Sequence, residues 1–295
     1  MGAVLDSRGV SERNVHLNGR MIAASQATVG VTDAGFVHGA SAFTTMRVHH
    51  GRVFRLDRHL KRLLETAEHF ALRTDATAET LGAATGELIA ANALGEGRAR
   101  ITLTAGPAGG EGAPVTLITA DPLGEQPARW YEQGIGVIVS SFKQCRDDPL
   151  AGYKTGCYLP RLLARREAAS QGMEEALWFT TENLLAEACF CNVFLVLGGR
   201  VLTPPLDTPV LPGVVRGAAM ELCATEGIGC EERALTVRDM LGAEEIFLTS
   251  AVSGIRPVVR VERHEVAEEK PGPITQRMMS AYAGLLDQEC GKDNA

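Results

Sequence analysis

Lys154 lies in the run Pro149-Leu-Ala-Gly-Tyr-Lys-Thr-Gly-Cys-Tyr158, between a predicted strand and a predicted helix, with Ala151, Gly152, Thr155 and Gly156 beside it. Small neighbours leave room for a flat ring next to the amine. A lysine desolvated in such a place becomes a nucleophile. Taken alone, one lysine among 29 Lys and Arg residues reads as solvated surface. Glu187, in Leu184-Leu-Ala-Glu-Ala-Cys-Phe-Cys-Asn-Val-Phe194, is predicted to stand just before a buried strand. A carboxylate there can hold a pyridinium N–H and keep the ring able to accept carbanion charge. Its plain alternative is a strand-terminal surface glutamate.

Leu211-Pro-Gly-Val-Val-Arg216 opens a predicted helix, whose first amides and dipole suit a phosphate. Pro-Gly as ordinary helix-start punctuation explains it too. Thr249-Ser250-Ala251 ends a predicted strand and offers hydroxyls and amides to the same anion. Arg62, in His59-Leu-Lys-Arg-Leu63, can clamp that charge or simply lie on a solvated helix face. An amine, a carboxylate for a ring nitrogen and an anion cradle are together what pyridoxal 5′-phosphate (PLP) requires.

The elements that must position these residues follow from apolar spacing. Asn18-Gly19 predicts a hairpin turn within Val15 to Ile22, and a second hairpin is expected from Phe43 to Leu56, turning near His50-Gly51. Asp57 reads as the N-cap of a helix carrying Leu60, Leu63, Leu64, Ala67, Phe70 and Ala71. Thr77 to Leu94 is a second helix, and Arg100 to Ala105 and Pro114 to Ala120 are strands. The turn from Gly106 to Gly112 lacks the Gly-Lys-Ser/Thr ending of a phosphate loop and reads as a connection.

Asp121 to Pro127, with two prolines and a glycine, suggests an interdomain linker. Beyond it, Gly136 to Ser141, Glu175 to Thr180, Asn192 to Leu197, Arg200 to Thr203, Glu245 to Thr249 and Pro257 to Val261 read as strands. Tyr158 to Gln171 reads as a helix with Leu159, Leu162 and Leu163 inward and arginines outward; Gly213 to Glu226 and Pro273 to Leu286 are helices too. Strands and helices mix in both halves without a repeat. The expected architecture is α+β: a smaller N-terminal domain over 1–120, a linker over 121–130 and a larger domain over 131–295, with a small-molecule cleft between them.

Composition narrows the partners. Hydrophobic residues are 45% of 295 and charged residues 22%, the balance of a globular protein. A net charge of −7 argues against general nucleic-acid binding, which needs basic surface. No run approaches the ~20 apolar residues of a membrane helix. Met1 to Arg13 has no apolar signal region, and Asp6 stands where a myristoylation motif wants Ser or Thr, so the expected location is the cytoplasm. Cys189 and Cys191 form a C-x-C pair without matching ligands at zinc spacing, so buried reduced thiols are expected, and no metal.

Over about residues 14 to 287 the chain resembles the class IV aminotransferases, the fold-type IV PLP enzymes, whose fold is that of D-amino acid aminotransferase. The resemblance rests on Asp33-Ala-Gly with Gly39, Phe43-Thr-Thr-Met-Arg47, His59 to Leu63, Lys154 with Tyr158, Glu187 with Asn192, Leu211 to Arg216, and Thr249 to Ala251 before Pro257-Val258. It implies that Lys154 is the Schiff-base lysine and general base, that Glu187 pairs with the pyridine nitrogen, and that Tyr158 lies near the ring phenolate. Arg62, Gly213, the amides of Val214 and Val215, Ser250 or Ala251, and Asn192 would complete the cofactor site. His38, Thr44, Thr45 and Arg47 would face a small amino substrate, and a homodimer is implied.

Within the family, Phe43-Thr-Thr-Met-Arg47, Pro149-Leu-Ala-Gly-x-Lys154 and Glu187-Ala-Cys-x-x-Asn192 resemble the 4-amino-4-deoxychorismate lyases, which release 4-aminobenzoate and pyruvate in the folate pathway. His38 and Cys157 depart from every subgroup pattern. The alternative is transamination of branched-chain amino acids, D-amino acids or amines. A non-catalytic homologue would have lost Lys154 or Glu187, and both are present.

Overall fold

Asn18 and Gly19, at φ 48° and 81°, close the first hairpin, between β1 (Asn14–Leu17) and β2 (Arg20–Ala23). The computed structural model describes residues 13–110, 112–124 and 126–291, so the readings made on Met1 to Glu12 lie outside the described residues. The chain continues through α1 (Ala34–His38), β3 (Ser41–His49), β4 (Arg52–Val53), α2 (Leu56–His69), α3 (Ala78–Ala91), β5 (Gly97–Thr104) and β6 (Thr116–Pro122). The six strands pair antiparallel in the order β2-β1-β6-β5-β3-β4.

Ala42, Met46 and Val48 alternate along β3, and all three are buried, as a period of two requires when one face of a strand is covered. The cover is α2 and α3, through Leu60, Leu63, Ala67, Leu81, Ala84 and Leu88. The expected cap at Asp57 is not there: α2 starts at Leu56 after Arg55, which has φ 49° and makes no side-chain cap bond. A left-handed residue costs roughly 1–2 kcal/mol. Each leucine buried on α2 returns about 1.5–3 kcal/mol, so packing decides where the helix begins.

The chain divides into two compact units, Met1–Pro122 and Leu123–Ala295. Asp121 and Pro122, expected in a linker, instead end β6 opposite Arg98 and Gly97. The second unit begins with α4 (Arg129–Glu132) and β7 (Ile135–Gln144), then α5 (Leu159–Ser170), β8 (Glu175–Thr180), β9 (Leu185–Ala188), β10 (Asn192–Leu197) and β11 (Arg200–Thr203). It continues with α6 (Val214–Thr225), β12 (Cys230–Glu232), α7 (Val237–Leu241), β13 (Glu245–Ser250), β14 (Gly254–Val261), β15 (His264–Glu265) and α8 (Pro273–Cys290). Its nine-stranded sheet runs β12-β11-β10-β13-β14-β7-β8-β9, with β15 on β14. β14, β7 and β8 are parallel, as are β11 and β12.

Every residue of β8 is buried, because both faces of that strand are covered. Leu177 and Phe179 join Leu185, Val193, Leu195, Ile246 and Leu248 in one cluster. Ala176 and Trp178 meet Ala164 and Ala168 of α5 in another. The inward side of α5 is therefore alanine, not leucine: Leu159, Leu162 and Leu163 are exposed. This reverses the expected orientation of the helix and brings one of its arginines inside. Among the described residues, no helix is long and apolar enough to cross a membrane.

Candidate active site

Gly152 turns the chain at φ 81°, and Lys154 follows, half-buried. Its Nζ donates to the Tyr158 hydroxyl oxygen at 2.9 Å. Tyr158 is the N-cap residue of α5, and its ring stacks on Phe190 with centroids 5.7 Å apart. The phenol is thus fixed by the helix start and by an aromatic neighbour, and it holds the amine in turn.

Glu187 precedes the buried β10 as expected and lies within a strand of its own, the four-residue β9, where it is 4% exposed. Its Oε1 accepts from Arg161 Nη2 at 2.6 Å; its Oε2 accepts from the Leu211 amide at 3.1 Å and Asn192 Nδ2 at 3.5 Å. Arg161 lies three residues after Tyr158, on the same side of α5. Its Cζ stands 6.0 Å from the Tyr158 ring centre. Burial pulls the Arg161 guanidinium down, but the charges of Glu187 and Tyr158 more than offset this and leave it above its ordinary value. Contacts therefore run continuously from Lys154 through Tyr158 and Arg161 to Glu187.

Asn192 ties that carboxylate to an anion cradle. Its Nδ2 also donates to the Leu211 carbonyl at 2.9 Å, and its Oδ1 packs so closely on Gly213 that a Cβ there would collide with it. Gly213 is the N-cap of α6, so the amides of Val214 and Val215 fall in the first turn, where a helix supplies no carbonyl partner. On the other side Asn192 pairs in register with Thr249, next to Ser250 and Ala251. The Ser250 hydroxyl accepts from the Ser253 amide at 3.1 Å. Thr249 Oγ1 is buried with no hydrogen-bond partner, a state that an anion's oxygen would relieve. These residues fit PLP: an amine, a buried ionisable carboxylate, and a helix start beside an orphaned hydroxyl.

The first unit holds the other expected residues. Thr44 is fully buried, and its Oγ1 lies 2.9 Å from His59 Nδ1 and accepts from Arg62 Nη2 at 3.2 Å. Thr44 and Thr45 point to opposite faces of β3, and Thr44 positions Arg62. Arg47, expected to meet a substrate carboxylate, is paired with Glu96 at 2.6 Å. Burial pushes the Glu96 carboxyl up, but the His50 amide, His49 and Arg47 hold it below the ordinary range. His49, His50 and Glu96 bring three ligand atoms within 4.8 Å, yet Arg47 and the His50 amide already engage that carboxylate.

His38 is exposed at the end of α1. That short helix is held by Asp33, whose Oδ1 accepts from the Gly35 amide at 2.8 Å and whose Oδ2 accepts from Thr104 Oγ1 at 2.7 Å. Cys157 is exposed. Cys189 and Cys191 are buried, and burial pushes the Cys189 thiol up to about 12, which leaves it unreactive.

Two residues escaped the sequence reading. Arg161 was hidden in a run read as outward-facing arginines. Arg100 is the cross-strand partner of Thr45, and its guanidinium lies 3.6 Å from the Phe43 ring centre.

The sequence model described as class IV amino-transferase matches residues 41–261. The branched-chain-amino-acid aminotransferase of Escherichia coli K12 is 30% identical over 288 residues, 93% of this chain and 93% of its own. A solved branched-chain amino acid aminotransferase from Escherichia coli superposes with a TM-score of 0.89 at 28% identity, covering 97% of this chain and 98% of that one. A candidate 4-amino-4-deoxychorismate lyase from Legionella pneumophila gives 0.80 at 24% identity, covering 90% and 97%, a likeness of fold alone.

Proposed function

Because the chain belongs to the class IV amino-transferase family, whose members depend on PLP, we propose that it is an aminotransferase moving an amino group between small amino and keto acids, with Lys154 as its catalytic amine. The observation that carries this reading is the Lys154 amine on the Tyr158 hydroxyl, linked through Arg161 to the buried Glu187. When bound, PLP supplies an electron sink for the charge left on the substrate carbon after proton loss.

The chain's own residues do the rest. Lys154 would remove the proton from the substrate carbon bearing nitrogen and, in transamination, hold it for return to the carbon on the far side of that nitrogen. Tyr158 fixes the amine's position by its hydroxyl. Glu187 accepts the pyridinium N–H. The Val214 and Val215 amides, with Thr249, Ser250 and Ala251, take the phosphate, and Asn192 holds Gly213 and Leu211 against Glu187. Arg62, set by Thr44, is the further cation that the family resemblance implies for that phosphate. His38, Thr45 and Arg100 are the substrate-side groups we put forward. A homodimer is part of this reading, supported by two exposed apolar groups, Val31, Phe36 and Val37 in one unit and Leu159, Leu162 and Leu163 in the other. Light scattering of the purified protein tests it.

A second reading is favoured by Phe43-Thr-Thr-Met-Arg47 and Glu187-Ala-Cys-x-x-Asn192: 4-amino-4-deoxychorismate lyase activity. It shares proton removal by Lys154 and differs only in losing pyruvate afterwards. Turnover that requires both an amino donor and a keto acceptor supports transamination. Release of 4-aminobenzoate from aminodeoxychorismate without any keto acid replaces it with the lyase.

A further inference from the structure

Arg161 spreads its guanidinium over one carboxylate, one amide and two carbonyls. Nη2 lies 2.6 Å from Glu187 Oε1 and 3.4 Å from Gln144 Oε1; Nη1 lies 2.9 Å from the Ala188 oxygen and 3.3 Å from the Cys189 oxygen. Its Cζ sits 5.1 Å from the Trp178 ring centre. The two carbonyls belong to the residues directly after Glu187. One planar cation therefore grips both the carboxylate and the strand end that carries it, which a lysine's point charge cannot do with the same geometry.

The Glu187 side chain is 6% exposed and that of Arg161 19%. A carboxylate this deep, deprived of a counter-charge, tends to take up a proton. A neutral acid is the wrong partner for a pyridinium N–H. We propose that Arg161 is a positioning residue that supplies the counter-charge of Glu187 and aims its carboxylate before the cofactor arrives, and so sets the affinity for PLP. The inference rests on the assignment of Glu187 to the ring nitrogen made above.

The test uses the full chain stripped of PLP, with R161M, R161K, E187Q and the R161M/E187Q double variant. PLP binding is followed by quenching of protein fluorescence, and apoprotein melting by calorimetry from about pH 5 to 9. R161M is expected to lose about ten-fold or more in PLP affinity, the range for a charge-assisted hydrogen bond. The double variant should bind no worse than E187Q, because the arginine acts through the glutamate. The melting deficit of R161M should widen as pH rises, and E187Q should abolish that widening. R161K, which keeps the charge, should show the wild-type pH profile with a several-fold weaker affinity. A pH-independent deficit for R161M, with losses that add to those of E187Q, overturns the proposal. Should R161M not fold, wild-type PLP affinity in R161K overturns it as well. If the wild-type protein itself binds no PLP, the reading of the whole site falls, and this inference with it.

Discussion

The amine of Lys154 donates to the hydroxyl oxygen of Tyr158 at 2.9 Å, four residues along the chain. The contact joins the loop that carries the amine to the N-cap residue of α5, so the helix start, with the Tyr158 ring seated on Phe190, is what aims the lysine. Tyr158→Phe keeps the ring stack and removes only the hydroxyl. Losing one hydrogen bond of about 0.5–1.5 kcal/mol lowers kcat by roughly two- to ten-fold while leaving the melting temperature nearly unchanged. Steady-state kinetics beside a thermal melt checks this. A large fall in melting temperature would make Tyr158 a packing residue only.

Gly213 is where backbone and side chain come closest in the proposed cradle. A Cβ at 213 would meet the Asn192 oxygen, and Asn192 also holds Leu211 and reaches Glu187. Gly213→Ala is expected to cost about 1–3 kcal/mol of stability, the range for forced overpacking, and to weaken PLP binding. Chemical denaturation and a PLP titration read the two effects separately. Unchanged PLP affinity would place the phosphate elsewhere.

The strand bearing Glu187 is anchored at its start by a helix cap. The Leu185 amide donates to the Leu235 carbonyl at 2.7 Å, and Thr236 begins α7 in a capping box with Asp239. The hydrogen bond from the Thr236 hydroxyl is the main reason the Asp239 carboxyl is held below its ordinary range, with the Thr236 amide and Arg233 adding to it. A depressed carboxyl contributes stability that is present above its unfolded pKa and lost as pH falls through the lower folded value. Asp239→Asn is therefore expected to lose stability at pH 7, on the order of 1 kcal/mol for a cap, and to converge with the wild type as pH falls through the lowered folded value. Melting curves at several pH values test the sign. A deficit that grows toward acid would contradict it.

Chemistry-bearing residues were legible where local sequence constrains them. Lys154 stands out because small residues surround it, and Leu211 to Arg216 because Pro-Gly punctuates a helix start. Glu187 was legible as an acid beside an apolar strand, but its own strand was not: four residues are too few for alternation to register. Arg161 was misread because the leucines of α5 suggested the wrong inward face, and only the alanine packing against Trp178 corrects it. For Thr44 and Thr45 the period of two was plain, but which face α2 covers is decided by Leu60 and Leu63, residues far from them in sequence. Arg100 needs the β3–β5 pairing, which no local pattern states.

The proposed chemistry depends above all on one lysine carrying the cofactor. The most direct test is to load the purified chain with PLP, treat it with borohydride and map the modified peptide by mass spectrometry. The prediction is a stable adduct on Lys154, with loss of visible absorbance in step. An adduct on Lys61, Lys143 or Lys270 instead, or none under conditions where PLP is bound, would contradict it.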